Sequence, residues 1–389
     1  MYSIKTFNNI AQIGLDQFDG GDYQVAADAA NPEAILLRSH KLQSEEIGAE
    51  VRAIGRAGAG VNNVPVADCT ARGIPVFNAP GANANAVKEL VMVGLLLGSR
   101  GIISGISYVS ELSKMDDADE MNRLLEKEKK RFKGSEIQGK TLGVVGLGAI
   151  GSQVANMALT MGMKVVGYDP AISIEAAWRL SSEVEKMDSL ESLLGRSDFV
   201  TLHLPVLDAT RNLINGDCLQ AAKAGCKLLN FARSEIVDSV AVAAALDSGK
   251  LAAYIADFPK PELINRDDVI LMPHIGASTA EAEENCAVMA ARQLKDYLEN
   301  GNVVNSVNFP RLTLERSSGH RLTICNQNVT NMLGSITSIL AEHDINVIDL
   351  LNKSRDEIAY NLIDVEQLPS AAVIEKLSAI EGVINVRLL

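Results

Sequence analysis

Cysteine is scarce and unpatterned in this 389-residue chain: Cys69, Cys218, Cys226, Cys286 and Cys325 are odd in number and form no CxxC pair or Cys/His metal spacing. A disulfide framework and a structural zinc site are excluded, and a reduced, cytoplasmic setting is the expectation. Basic residues are outnumbered, 36 Lys and Arg against 49 Asp and Glu, for a net charge of −13. A mainly electrostatic grip on nucleic acid or an anionic membrane would work against that field, so any anionic small molecule needs a locally basic pocket. Long apolar runs are missing as well. The most apolar segment, 90–109, is interrupted by Arg100, short of the roughly 20 residues of a membrane span, and no basic-then-apolar leader pattern opens the chain. Neither secretion nor membrane insertion is expected.

What is present is ordinary folded material, 47% apolar and 22% charged with a mean hydropathy of +0.10, enough for two or three domains at roughly 150 residues each. From about residue 140 short β-type runs alternate with Ala/Leu-rich helical stretches: LGVVG (142–146), KVVGY (164–168), FVTLHL (199–204), KLLNF (227–231), AAYIA (252–256) and VILM (269–272). Nearly continuous apolar strands with helical crossovers predict a doubly wound parallel sheet. A smaller alternation, IKTF (4–7), AILLR (34–38), RAIG (52–55) and PVFN (75–78), predicts a second α/β unit. The charged stretch 111–136, with Lys127, Lys129 and Arg131, reads as an exposed amphipathic helix and loop. Another helix is expected over 289–300 and a linker near 308–320. The tail then reads βαββαβ, with strands at 321–325, 345–352, 358–365 and 383–389 and helices at 331–342 and 371–380.

The chemistry begins at Gly146, Gly148, Ala149, Ile150 and Gly151, a GxGxxG run directly after a strand and opening a helix. The first glycine permits the turn, the second lets backbone amides approach a pyrophosphate, and the third allows close helix packing. A second strand ends at Asp169, where a carboxylate can accept from ribose hydroxyls. No Arg or Lys follows it in 170–173 to neutralise a 2′-phosphate, so NAD is expected over NADP. Three further strand ends offer Arg233, Asp257 with Glu262 five residues on, and His274. A guanidinium suits a substrate carboxylate. A Glu paired with one imidazole nitrogen would orient His274 for proton transfer through the other.

Together GLGAIG, YDP, NFAR, the Asp-plus-five Glu and PHIGAST (273–279) resemble the D-2-hydroxyacid dehydrogenase family. The whole chain, tail included, is similar to the phosphoglycerate-oxidising branch that carries a C-terminal ACT-like module. The resemblance implies a flavodoxin-like substrate domain from residues 1–92 and 276–308, a Rossmann nucleotide domain over 93–275, and an ACT-like (ferredoxin-like) domain over 320–389. In the family, substrate and cofactor lie between the first two. Carried over, Arg233 holds the carboxylate, His274 is the acid/base and Glu262 its partner. Asp257 lies by the nicotinamide, and Thr201, His203, Pro205 and Thr210 follow the adenosine-side strand. Phe231, Ala232, Gly276 and Ala277 complete the cofactor lining. Arg38, Arg56, the amides of 57–60 (Ala57 and Gly58 first) and Asn78 are expected to hold a phosphorylated 2-hydroxy acid. Two positions depart from the family pattern: Ser234 stands for Gly after the arginine, and Leu263 for Pro after the glutamate.

The expected function is NAD-dependent oxidation of D-3-phosphoglycerate, the first step of serine biosynthesis, by a homodimer or homotetramer. The alternatives are a glyoxylate or hydroxypyruvate reductase, or a non-catalytic NAD(H)-sensing, corepressor-like binder. In the tail, 326–331 reads Asn-Gln-Asn-Val-Thr-Asn and lacks the His and Pro-Gly of serine-inhibited relatives. Asn328 and Asn346 remain candidates for an amino acid, Asn331 is expected to cap the following helix, and dimerisation with weak or absent serine feedback is favoured.

Overall fold

In the computed structural model, which describes residues 1–18 and 20–389, the chain folds into two compact units, 1–83 with 280–389, and 84–279. In the first, β1 (Tyr2–Phe7), β2 (Tyr23–Ala26), β3 (Ala34–Leu37), β4 (Ala53–Arg56) and β5 (Val76–Phe77) are all parallel. Their order, β2-β1-β3-β4-β5, is the flavodoxin-like winding expected from the sequence. Apolar β3 is buried at every position, as a central parallel strand covered on both faces must be. The helix anticipated over 289–300 runs from Ala280 to Asn300 and buries Ala287, Ala290 and Leu294. Gly55 lets it approach, because a Cβ there would lie 2.9 Å from Leu294 Cδ1.

The second unit holds β6 (Thr141–Val145), β7 (Lys164–Tyr168), β8 (Glu185–Lys186), β9 (Phe199–Leu202), β10 (Cys226–Asn230), β11 (Leu251–Ala256) and β12 (Val269–Leu271). All are parallel, in the order β12-β11-β10-β9-β6-β7-β8. The winding reverses between β6 and β9, where doubly wound sheets bind ligands. Alternation along the strands sends Val200 and Leu228 into one apolar layer and Phe199 and Leu229 into the other. Each of the six expected runs is a strand; only the two-residue edge strand β8 lacked an apolar signal. The charged stretch forms a helix, Ala118–Glu128, whose N-cap Asp117 accepts from the amides of Asp119 and Glu120. It buries no residue. Lys129 pairs with Glu126, and Arg131 pairs with Glu128 while lying over the Tyr108 and Phe132 rings.

The tail belongs to the first unit. Its antiparallel strands β13 (His320–Gln327), β14 (Val347–Arg355), β15 (Ile358–Val365) and β16 (Val383–Leu388) are ordered β14-β15-β13-β16. With helices Met332–Glu342 and Ala371–Ser378 this is the expected βαββαβ sandwich. Cys325, Tyr360 and Leu362 share one apolar cluster with Phe77, Leu294 and Tyr297, so tail and flavodoxin-like sheet have a common core. Arg321, fully buried, donates to both oxygens of Asp364 at 2.6 and 2.8 Å and to the carbonyls of Asn300, Leu314 and Glu315. The expected cap at Asn331 is not made: the residue is left-handed, with φ +67°, and its side chain bonds no helix amide. Among the described residues no single helix is long and apolar enough to cross a membrane.

Candidate active site

The Gly-rich turn is built as its spacing implies. Gly146 has φ +88°, and a Cβ there would lie 2.5 Å from the His203 carbonyl oxygen, so no other residue fits without movement. Gly151 lies closer still, since its Cβ would be 1.9 Å from the Gly146 oxygen. Gly148 differs: nothing lies within 4 Å of a Cβ placed on it. That open space faces the start of helix Ala149–Thr160, which has no side-chain cap and no acidic residue in its first turn. Ala149 and Ile150 form that first turn, and the free amides and positive dipole end suit an anion.

Asp169 stands one residue past β7 and braces the turn: its carboxylate accepts from the amides of Leu147 at 2.8 Å and Ala171 at 2.9 Å. Across the switch point, His203 shares a 3.0 Å hydrogen bond through Nε2 with Thr201, while its Nδ1 is buried without a partner among the described residues. Burial pushes its pKa down to about 3, so the ring is neutral and unsuited to proton transfer near pH 7. Pro205 and Thr210 belong to one loop, closed by the Thr210 hydroxyl donating to the Pro205 carbonyl at 2.7 Å and accepting from the Leu207 amide.

The carboxyl ends of β10, β11 and β12 bring the expected reactive groups to one edge of the sheet. Past β10, Phe231 and Ala232 are buried and Arg233 is half-buried. Asn230 shapes this turn by donating to the Arg233 carbonyl and accepting from the Ala232 amide. The Arg233 guanidinium donates to the Ala232 carbonyl at 2.7 Å and has no carboxylate partner among the described residues. A half-buried arginine with no carboxylate bonded to it suits an incoming one. Ser234 opens a short 3₁₀ turn and Leu263 is buried, so both departures from the family pattern are accommodated.

Beyond β11, Asp257 is 2% exposed and accepts from the amides of Ile275 at 2.8 Å and Gly276 at 2.7 Å. This clamp fixes the loop that presents His274. Gly276 is needed beneath it, because a Cβ there would lie 2.9 Å from Asp257 Oδ2; Ala277 follows, half-buried. His274 is exposed, adopts φ +58° and packs its ring on Phe258 at 4.9 Å between centroids. A left-handed histidine carries strain that the surrounding clamp must hold. The expected bond between Glu262 and His274 is not formed in this structure. Glu262 instead accepts from the Ser239 hydroxyl, which holds its carboxyl below the usual range. Ser239 and Phe258 escaped the sequence reading, and Asn230 entered it only as part of the NFAR motif, with no role of its own.

In the other unit, the register places Leu37 of β3 opposite Arg56 of β4, so Arg38 and Arg56 lie at the carboxyl ends of adjacent strands. Arg38 pairs with Glu283 at 2.5 Å. Arg56 Nε donates to the Arg38 carbonyl, and its guanidinium lies over Gly58, where a Cβ would be 1.8 Å from Nη1. The amides of Ala57 and Gly58, expected as free donors, are taken by the carbonyls of Leu37 and Arg56. The first continues the β3–β4 ladder by one residue and the second closes a tight turn immediately after β4. Asn78 braces the same loop by donating to the Ala59 carbonyl at 2.6 Å.

Comparison with known proteins shows the family. Residues 106–276 match the family described as D-isomer specific 2-hydroxyacid dehydrogenase, NAD binding domain. The chain is 35% identical over 385 residues to a D-3-phosphoglycerate dehydrogenase of Haemophilus influenzae, covering 95% of this chain and 89% of that one. It is 34% identical, with the same coverage, to a D-3-phosphoglycerate dehydrogenase of Escherichia coli K12. Among solved structures, NAD+-bound 3-phosphoglycerate dehydrogenase of Entamoeba histolytica superposes with a TM-score of 0.62 at 26% identity, over 80% of this chain and 99% of that one.

Proposed function

This chain belongs to the D-isomer-specific 2-hydroxyacid dehydrogenases, and from that premise we propose that it oxidises D-3-phosphoglycerate to 3-phosphohydroxypyruvate with NAD, the first step of serine biosynthesis. The observation that carries the reading is the grouping of Arg233 and the clamped His274 loop at the carboxyl ends of β10 and β12, the strands on either side of β11, in a sheet whose switch point holds an uncapped helix start behind Gly148. The residues fit a dinucleotide. Open space at Gly148, free helix amides and the unpartnered His203 nitrogen await polar atoms, and Asp169 disfavours a 2′-phosphate. Bound NAD supplies the hydride acceptor.

The chain's own groups supply the rest. Arg233 holds the substrate carboxylate and polarises the reacting oxygen, while His274 takes the hydroxyl proton at an imidazole nitrogen. Asp257 keeps His274 in place through the two amides behind it. Glu262 serves the imidazole once its carboxylate exchanges Ser239 for the ring. Arg38 and Arg56 provide the cationic donors that a phosphate dianion requires. The test is substrate preference: 3-phosphoglycerate should be turned over with a much higher specificity constant than D-glycerate, and equal efficiency would refute the phosphate assignment and favour a glyoxylate or hydroxypyruvate reductase. Tight NADH binding without turnover of any 2-hydroxy acid would favour a corepressor-like binder.

The proposal extends to assembly, regulation and place. Val93, Leu96, Ile103, Ile106 and Val109 are exposed apolar residues on two consecutive helices, a surface suited to a second copy of the chain in a cytoplasmic homodimer or homotetramer. In the ACT-like tail, Asn328 donates to the Asp356 carbonyl and Asn346 to Glu366. Both candidate amino-acid ligands are thus engaged, which supports weak or absent serine feedback through that loop.

A further inference from the structure

Where β16 of the tail runs alongside the flavodoxin-like sheet, a cavity of about 480 Å³ opens between Arg52, Arg72, Asn385 and Arg387. Two of its polar atoms, of opposite character, are buried with no hydrogen-bond partner among the described residues. Arg387 is 9% exposed; its two terminal nitrogens donate to the carbonyls of Tyr297 and Leu298 and its plane covers the Tyr297 ring at 4.7 Å, yet Nε is buried without an acceptor. No carboxylate pairs with this guanidinium among the described residues, whereas Arg52 has Glu33 and Arg72 has Asp68. Asn385 uses Nδ2 to donate to the Gly73 carbonyl at 3.1 Å, which fixes the amide orientation and leaves Oδ1 buried without a donor.

A buried cation without a counter-charge and a buried acceptor without a donor each cost free energy that a correctly equipped ligand would recover. Neither chloride nor acetate satisfies both. We propose that this cavity binds a small carboxylate bearing an adjacent donor, an amino or hydroxy acid: the carboxylate meets Arg387 Nε and the rim arginines, and the ammonium or hydroxyl donates to Asn385 Oδ1. No residue of the Asn326–Asn331 loop lines the cavity, although Asn385 pairs with Cys325 just before that loop; the cavity lies on the edge strand at the far side of the sheet from β14. It also touches Arg52 and Ile74, the residues leading into β4 and β5. Arg56 ends β4, so a ligand here would act on the strand that carries a candidate phosphate ligand.

The test is calorimetric titration of the full chain with glycine, glycolate and acetate. Glycine and acetate share the carboxylate and differ in the donor, while glycolate separates a hydroxyl from an ammonium source. One site per chain is expected, with glycine or glycolate binding at least about tenfold more tightly than acetate, the effect of one hydrogen bond to a charged group. Because glycolate resembles a dehydrogenase substrate, its binding counts only in the part that Asn385→Ala removes. Asn385→Ala should lower affinity about tenfold, Arg72→Gln should weaken binding with little risk to the fold, and Asn328→Ala should leave it unchanged. No heat from any probe at tens of millimolar would overturn the proposal. So would equal affinity for acetate and glycine, or binding insensitive to Asn385→Ala but lost in Asn328→Ala. None of these results depends on dehydrogenase activity.

Discussion

Replacing Asp364 by Asn should unseat the tail, and the structure sets the size of the effect. Arg321 and Asp364 have side chains 0% and 2% exposed and are joined by two hydrogen bonds of 2.6 and 2.8 Å. The neutral amide keeps the shape but offers one acceptor where there were two and turns an NH₂ toward a guanidinium. An uncompensated buried charge costs about 3–5 kcal/mol, which at roughly 2–4 °C per kcal/mol for a unit of this size lowers Tm by roughly 6–20 °C. Removing both charges, as Arg321→Met with Asp364→Leu, avoids the lone charge but strips donors from the carbonyls of Asn300, Leu314 and Glu315. The double variant should therefore recover part of the loss. Acid should imitate the single variant. Burial raises the Asp364 pKa, but the bonds from Arg321 and Ser317 outweigh it and hold the group below its ordinary 3.8. Its contribution is present above the unfolded value and is lost as pH falls through the lowered one. Urea unfolding followed by far-UV circular dichroism, with proteolysis across 308–320, reads this unit; the one tryptophan, Trp178, lies in the other. A loss below about 1 kcal/mol in Asp364→Asn would refute the view that this pair anchors the tail.

The other predictions concern chemistry and assembly. His274→Asn should lower kcat by roughly 10²–10⁴ while NADH affinity, read by fluorescence titration, stays near wild type; normal turnover would remove His274 from the mechanism. Asp257→Asn should also lower kcat, because one of the amides at 275 and 276 would then face an NH₂ group; unchanged turnover would show that the loop holds itself. Gly148→Ala should fold normally, since its Cβ meets nothing, yet bind NADH weakly, whereas Gly151→Ala should lower thermal stability as well because of its 1.9 Å clash. Equal behaviour of the two variants would contradict the division of roles. Light scattering at micromolar concentration should show at least a dimer, and Ile106→Asp should shift it toward monomer if the exposed apolar stripe is the interface.

The strands were legible because a parallel sheet covered on both faces demands continuous apolar runs. β7 and β15 fall on their expected residues, β2 and β8 had no expected run, and the others differ by one to three residues at their ends. The Gly-rich turn was legible for a related reason: each glycine answers a separate steric demand, visible here as a positive φ at 146, open space at 148 and a clash at 151. Polar pairing was much less legible, since it depends on which side chains distant segments bring together. Ser239 and Glu262 are 23 residues apart, and no local pattern announces that a serine at a helix start will take the carboxylate expected to serve His274. The same holds for the tail. Residues 308–320 have the Asn- and Ser-rich composition of a linker, yet the carbonyls of Leu314 and Glu315 are drawn inward by Arg321. Composition reports what a segment would do in water. A buried guanidinium with five donors changes that outcome, because each carbonyl within its reach satisfies a donor that cannot be left bare in the core. The apparent linker is thus held as part of the folded unit, by buried Phe309 and Leu312 and the Val303–Leu312 bridge together with an arginine that the sequence displays as the first residue of an ordinary strand run.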